Sequence, residues 1–152
     1  MGDRVMGLAA GSMATEAVTD ARYVVRVPDC LTDHEAATIP LAYLTAYHGL
    51  VNLAGVCPGK RVLVHAGAGG VGMAAIALAR HLGAEVLATA SPHKWPALES
   101  LGLGPEQLAT SRDPGFAAAW EPVDVVLNSL TGAMIDESLS LLREGGLFLE
   151  IG

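Results

Sequence analysis

Gly67, Gly69 and Gly72 are spaced as G-x-G-x-x-G within the run Gly67-Ala68-Gly69-Gly70-Val71-Gly72. That spacing carries chemistry when a strand leads into it and a helix leads out. Val62, Leu63 and Val64 supply a short continuous apolar run, as expected of a strand covered on both faces. Val71, Ala75, Leu78 and Leu82 then follow helical spacing, and Gly83 stops it. In this setting the first glycine makes a tight turn. The second lets the backbone approach a pyrophosphate, and the third lets helix and strand pack closely. Free N–H groups and the helix dipole at Gly70 and Val71 favour negative charge. The pattern therefore predicts a dinucleotide site at Gly67, Gly69, Gly70, Val71 and Gly72, against the plain alternative of a glycine-rich turn.

The next apolar run, Glu85-Val86-Leu87-Ala88-Thr89-Ala90, predicts a second strand. An NAD site places Asp or Glu about 20 residues beyond the glycines, to hold the ribose 2′-OH. Here the stretch reads Thr89-Ala90-Ser91-Pro92-His93-Lys94, with no carboxylate. Ser91 and Lys94 offer a hydroxyl and a cation instead, which suit a 2′-phosphate. The expected cofactor is NADPH. The alternative is that Ser91 only caps a helix and Lys94 is only solvated.

The surrounding elements must position these groups. Residues 61–90 form a strand-helix-strand unit of the size of a βαβ crossover. A helix is predicted over 91–101, opened by Ser91 and Pro92. A weak strand follows over 107–111, then one or two helical turns over 114–120. Val123-Asp124-Val125-Val126-Leu127-Asn128 reads as a strand, and 131–143 as an amphipathic helix that Gly145-Gly146 ends. Residues 147–151 are the last predicted strand. Upstream, Thr32 and Glu35 form a capping-box pattern; Pro40 is expected to kink or divide the helix it starts, and Gly55 to end it. The fold class is thus α/β, a Rossmann-type doubly wound parallel sheet. Residues 1–30 differ: two short strands joined by Gly and Ser read as the last strands of a separate β-rich domain. The expected division is 1–30 and 31–152.

Composition narrows the classes further. The chain has 152 residues, 51% hydrophobic and 16% charged, a globular balance with a rich core. Its net charge of -7 argues against nucleic acid or anionic membrane as a partner. Cys30 and Cys57 make neither a disulfide framework nor a CxxC site. The apolar run over 73–79 is too short to span a bilayer. No signal-peptide pattern is present, and the expected location is the cytoplasm.

Several stretches together resemble the medium-chain dehydrogenase/reductase superfamily: Gly2-Asp3-Arg4-Val5-Met6-Gly7, Leu44-Thr45-Ala46-Tyr47-His48-Gly49-Leu50, and Val64-His65-Ala66-Gly67-Ala68-Gly69-Gly70-Val71-Gly72-Met73-Ala74-Ala75. Three more narrow the resemblance: Ala88-Thr89-Ala90-Ser91-Pro92-His93-Lys94-Trp95, Ser111-Arg112-Asp113, and Asp124-Val125-Val126-Leu127-Asn128-Ser129-Leu130-Thr131-Gly132. They are similar to the enoylreductase domain of modular polyketide synthases, akin to that of animal fatty acid synthase. The resemblance implies that residues 1–30 end a truncated GroES-like substrate domain. It implies an oxidoreductase that reduces an α,β-unsaturated thioester on an acyl carrier protein with NADPH, among neighbouring synthase domains. A fragment without the rest of the substrate domain is expected to be inactive alone.

The same resemblance implies roles for particular residues. Lys94 and Asp113 match candidate proton donors. Thr45 matches a nicotinamide-side threonine. Zinc-dependent relatives carry a cysteine at the place of Leu41, so no metal is expected. Arg112 is a second candidate for the phosphate or adenine. Asn128, at the carboxyl end of its strand, lies where ligands meet an open α/β sheet. Lys94 cannot grip the 2′-phosphate and protonate substrate at once, since those lie at opposite ends of NADPH; the phosphate role is preferred. His65 stands nearest the glycine turn among the five histidines, for all of which structural roles are favoured. Tyr43, Tyr47, Trp95 and Trp120 read as packing residues. Two other functions fit the residues: a stand-alone zinc-free NADPH quinone or enone reductase, and a non-catalytic NADP(H)-binding module.

Overall fold

The computed structural model describes residues 2–152. The chain divides into two compact units, Met1–Thr45 and Ala46–Gly152. Most of the first helix thus belongs with the first unit, whereas the sequence pattern groups it with the second.

In the first unit, strands β1 (Val5–Gly7) and β2 (Val24–Arg26) pair antiparallel, Met6 opposite Val25. Helix α1 (Asp33–Tyr47) opens on the predicted capping box. The Thr32 N–H donates to Glu35 Oε2 at 2.8 Å, and the Glu35 N–H donates to Thr32 Oγ1 at 3.3 Å. Helix α1 is not divided at Pro40. The proline removes only the bond that would reach the Ala36 carbonyl, and the remaining bonds carry the helix past it.

In the second unit, a π-helical turn (His48–Leu53) gives way at Gly55, whose φ of 55° is left-handed. Then come β3 (Arg61–Val64), α2 (Gly70–His81), β4 (Glu85–Ala90), α3 (Trp95–Ser100), β5 (Leu108–Thr110), β6 (Val123–Asn128), α4 (Ala133–Leu141) and β7 (Leu142–Glu150). The five strands β3 to β7 form one parallel sheet in the order β5-β4-β3-β6-β7. Both faces are covered. Leu63 and Leu87 pack with Phe116 and Leu141 on one side. Ala88, one residue on from Leu87, meets the side that carries Ile76 of α2 and Leu98 of α3. Val62, Leu63, Val64 and all of β6 are buried, which is why Val62 to Val64 and Val125 to Leu127 read as short apolar runs. At the amino end of β6, the buried carboxylate of Asp124 accepts from the Arg61 N–H at 2.8 Å. It also pairs with Arg143 at 3.0 Å, which ties β3 and β7 to β6.

Two elements differ from expectation. The helix predicted over 91–101 is a 3₁₀ turn (Pro92–Lys94) followed by the short α3. Pro92 and Pro96 lack the N–H groups that one continuous helix would need. The helix predicted over 131–143 stops at Leu141, and β7 begins at once rather than after the glycines. Gly145-Gly146 lies inside the strand. Val123 pairs with Leu142 but Val125 pairs with Leu147, and Gly145 at φ 74° takes up the extra residues as a bulge.

Candidate active site

The chain runs outward from β3 through β4 to β5, then returns to lay β6 and β7 on the other side. The switch point therefore falls between β3 and β6. In such sheets ligands bind beyond the carboxyl ends of the strands at that point.

The turn between β3 and α2 is fixed by backbone bonds. The Gly67 N–H donates to Thr89 O at 2.9 Å, and the Gly69 N–H donates to Ala66 O at 2.8 Å. Gly69 is the N-cap of α2, with extended backbone (φ −85°, ψ 168°). The left-handed residue in the turn is not a glycine but Ala66, at φ 49°. Gly72 is held under the turn: a side chain there would enter the Ala66 carbonyl and the Gly67 backbone. Gly70 faces open space. The third glycine thus serves helix–strand packing and the second leaves the helix entrance open, as the motif requires.

Beside this turn is a pocket of about 180 Å³, lined by Ala66, Ala68, Gly69, Ala90, Ser91, Lys94 and Ser111. It joins the carboxyl ends of β3, β4 and β5. Ser91 occupies the N-cap position of the 3₁₀ turn, but its side chain makes no capping bond. Its hydroxyl is left for the pocket. The Trp95 indole N–H donates to Ala90 O at 3.2 Å and pins the 3₁₀ turn to the end of β4. No carboxylate lines the pocket. Two hydroxyls and an ammonium line it beside the entrance of α2, which is a donor set for phosphate.

The other predicted residues lie elsewhere. Arg112 is exposed and does not line the pocket, although its neighbour Ser111 does. Asp113 accepts from the Gly115 N–H at 2.9 Å and caps the 3₁₀ helix Pro114–Ala119. Among the described residues no ion pair joins Lys94 to Asp113. Thr45 lies in the first unit, where its hydroxyl donates to Leu41 O at 2.8 Å. Asn128 is fully buried. Its Nδ2 donates to Leu130 O and to Glu150 Oε2, each at 2.8 Å, and its Oδ1 accepts from the Leu130 N–H at 3.2 Å. The amide braces the loop after β6 and the end of β7. That bond holds the Glu150 carboxyl below the usual carboxylate range, aided by the Gly152 N–H. Among the described residues no three His, Cys, Asp or Glu side chains converge as a metal site.

Ser111 and the partners of His65 escaped the sequence. Ser111 joins the pocket because it follows β5; its place after that weak strand was the available signal. His65 is buried, 2.8 Å from Thr89 Oγ1 through Nδ1 and 2.7 Å from Ser138 Oγ through Nε2. Its ring meets Phe116 edge to face. Burial pushes its pKa down to about 4, so it is neutral.

No family model matches the chain. Individual proteins do. Polyketide synthase GfsB of Streptomyces halstedii is 56% identical over 152 residues, all of this chain and 3% of the synthase. The crystal structure of CurK enoyl reductase superposes with a TM-score of 0.83 at 51% identity, over 88% of this chain and 42% of that one. A solved putative enoyl reductase domain of a polyketide synthase gives a TM-score of 0.68 at 42% identity, over 74% of this chain and 67% of that one. The chain therefore spans a small part of the synthase and less than half of the CurK chain. Identity at this level, with superposition of the fold over two thirds of a solved enoyl reductase domain, shows that the chain belongs to the enoyl reductase domain family of modular polyketide synthases.

Proposed function

We propose that this chain supplies the NADPH-binding part of an enoyl reductase that acts on an α,β-unsaturated thioester held on an acyl carrier protein. The observation that carries the reading is the pocket where Gly69, Ser91, Lys94 and Ser111 meet with no carboxylate among them. The residues fit the cofactor. The backbone of Gly67 to Gly72 would cradle the pyrophosphate at the entrance of α2. Ser91, Lys94 and Ser111 would hold the 2′-phosphate, which a carboxylate at this point would repel. Arg112, next to Ser111, would add long-range attraction from outside the pocket.

When bound, the nicotinamide supplies a hydride. This chain's own residues then bind, orient and furnish a proton. Lys94 lines the pocket with Gly69, Ser91 and Ser111, which supports the phosphate role over the donor role that the family resemblance implies. Asp113 remains the family's other candidate donor, held in place as a cap. The loop that Asn128 braces is proposed to flank the nicotinamide, and Thr45 keeps the nicotinamide-side role that the family resemblance implies. Neighbouring synthase domains would deliver the substrate in the cytoplasm. The relatives quoted above favour this function over a stand-alone quinone reductase. The test is paired: titration of the enoyl reductase domain containing this chain with NADPH and NADH, and turnover of a crotonyl thioester. Tight NADPH binding with thioester reduction is expected. Equal affinity for both dinucleotides removes the 2′-phosphate reading; NADPH binding without turnover of any enoyl thioester leaves a binding module.

A further inference from the structure

Ala66 is a non-glycine residue in left-handed backbone at the centre of the glycine turn. Such a conformation costs about 1 kcal/mol or more and persists only where its surroundings over-determine it. The bonds on either side of Ala66 do so. On the amino side, the His65 N–H donates to Leu127 O of β6 at 3.0 Å. The His65 side chain reaches Thr89 of β4 and Ser138 of α4. On the carboxyl side, the Gly67 N–H donates to the carbonyl of the same Thr89. Thr89 therefore grips the turn twice, by side chain at residue 65 and by backbone at residue 67.

The network also assigns the imidazole tautomer. Ser138 Oγ donates its one proton to Met134 O at 2.6 Å. It must then accept from His65, which puts the ring proton on Nε2. Nδ1 is left to accept from the Thr89 hydroxyl. Every polar atom of this buried chain is used once in the right sense, which makes it rigid. His65 itself does not line the pocket; Ala66 and Gly69, the two residues bonded across the turn, do.

Resting on the dinucleotide reading proposed above, we infer that His65, with Thr89 and Ser138, is a positioning residue for cofactor. It holds Ala66 in its left-handed form, and with it the Gly69–Ala66 bond that closes the turn, so that the free N–H groups at the start of α2 meet the pyrophosphate. A merely structural histidine would affect melting alone. A positioning one affects affinity in molecules that remain folded.

The experiment measures NADPH dissociation constants by fluorescence, well below the melting point of each variant, in the enoyl reductase domain containing this chain. Thr89→Val keeps the shape and removes the hydroxyl; Thr89→Ser keeps the hydroxyl. Ser138→Ala opens the far end of the network. Val123→Ala, at the amino end of β6, lowers stability without touching the turn. Gly69→Val blocks the loop. Thr89→Val and Ser138→Ala should bind NADPH about 5- to 10-fold more weakly, the scale of one lost buried hydrogen bond. Thr89→Ser and Val123→Ala should bind like the parent, and Gly69→Val should not bind. If Thr89→Val and Ser138→Ala bind like the parent while Gly69→Val does not, the positioning role is wrong and the cofactor site stands. If Gly69→Val binds like the parent, the cofactor site itself is wrong and the inference falls with it.

Discussion

Asn128 and Glu150 join the carboxyl ends of two adjacent strands: Asn128 Nδ2 lies 2.8 Å from Glu150 Oε2, a neutral donor against a carboxylate. The pair is matched in chemistry as well as in distance. Asn128→Asp would keep the shape and set two carboxylates against each other. It should lower the melting temperature more at pH 7, where both are ionised, than at pH 4.5, where protonation relieves the repulsion. Adding Glu150→Gln should restore much of the loss. Thermal melting of the single and double variants at the two pH values checks this; a loss that ignores pH would mean that the Asn128 bonds to Leu130 dominate.

The glycines of the turn divide their duties. A side chain at Gly72 runs into backbone at Ala66 and Gly67, atoms that cannot move aside. Gly72→Val should lower stability by about 2–3 kcal/mol, the scale of overpacking. Gly69 has extended backbone that valine adopts without strain, and its Cβ would meet Ala66 O at 3.2 Å, tight but adjustable. Gly69→Val should therefore keep most of its stability, within about 1 kcal/mol, while losing NADPH binding. Melting and titration of both variants give the comparison. Equal destabilisation would contradict the division of roles.

The parts legible in the sequence are those where one signal acts alone. β3, β4 and β6 are buried on both faces, so each carries a run of at least three consecutive apolar residues: Val62 to Val64, Val86 to Ala88 and Val125 to Leu127. Gly67, Gly69, Ser91 and Lys94 follow the ends of neighbouring strands, so strand prediction places them side by side. The α4–β7 junction was not legible, because Gly145-Gly146 signals a helix stop and a strand bulge equally well. Ala66 carried no signal, since alanine does not advertise a left-handed turn. The partners of His65 stand 24 and 73 residues away along the chain, and only the fold brings them together.

Lys94 gives the sharpest cofactor test. It is an ammonium in a pocket with two hydroxyls and no carboxylate. Lys94→Ala should weaken NADPH binding by about 1.5–3 kcal/mol, the scale of a charged hydrogen bond, and leave NADH nearly unchanged. Calorimetric titration of both dinucleotides reads the difference. An equal loss for both would move Lys94 away from the 2′-phosphate. A loss of turnover with NADPH affinity intact would instead make it the proton donor.

His65 makes stability depend on pH in a defined direction. Burial holds its folded pKa at about 4, against 6.5 for a free imidazole. Above pH 6.5 the ring is neutral both folded and unfolded, and the network contributes in full. As pH falls from 6.5 toward 4, the unfolded chain takes up a proton that the folded one refuses, and stability is lost. Across that window the loss amounts to about 3 kcal/mol. Carboxylates contribute their own losses at the acid end, so the parent must be compared with a variant lacking the imidazole. His65→Phe keeps a ring against Phe116 and cannot titrate. It should be less stable than the parent at pH 7, because Thr89 and Ser138 lose their partner. The gap should then close by about 3 kcal/mol as pH falls to 4. Urea unfolding of both proteins at half-unit pH steps provides the curve. A gap that stays constant from pH 7 to 4 would show that His65 protonates as readily folded as unfolded, and that the buried network opens to admit the charge.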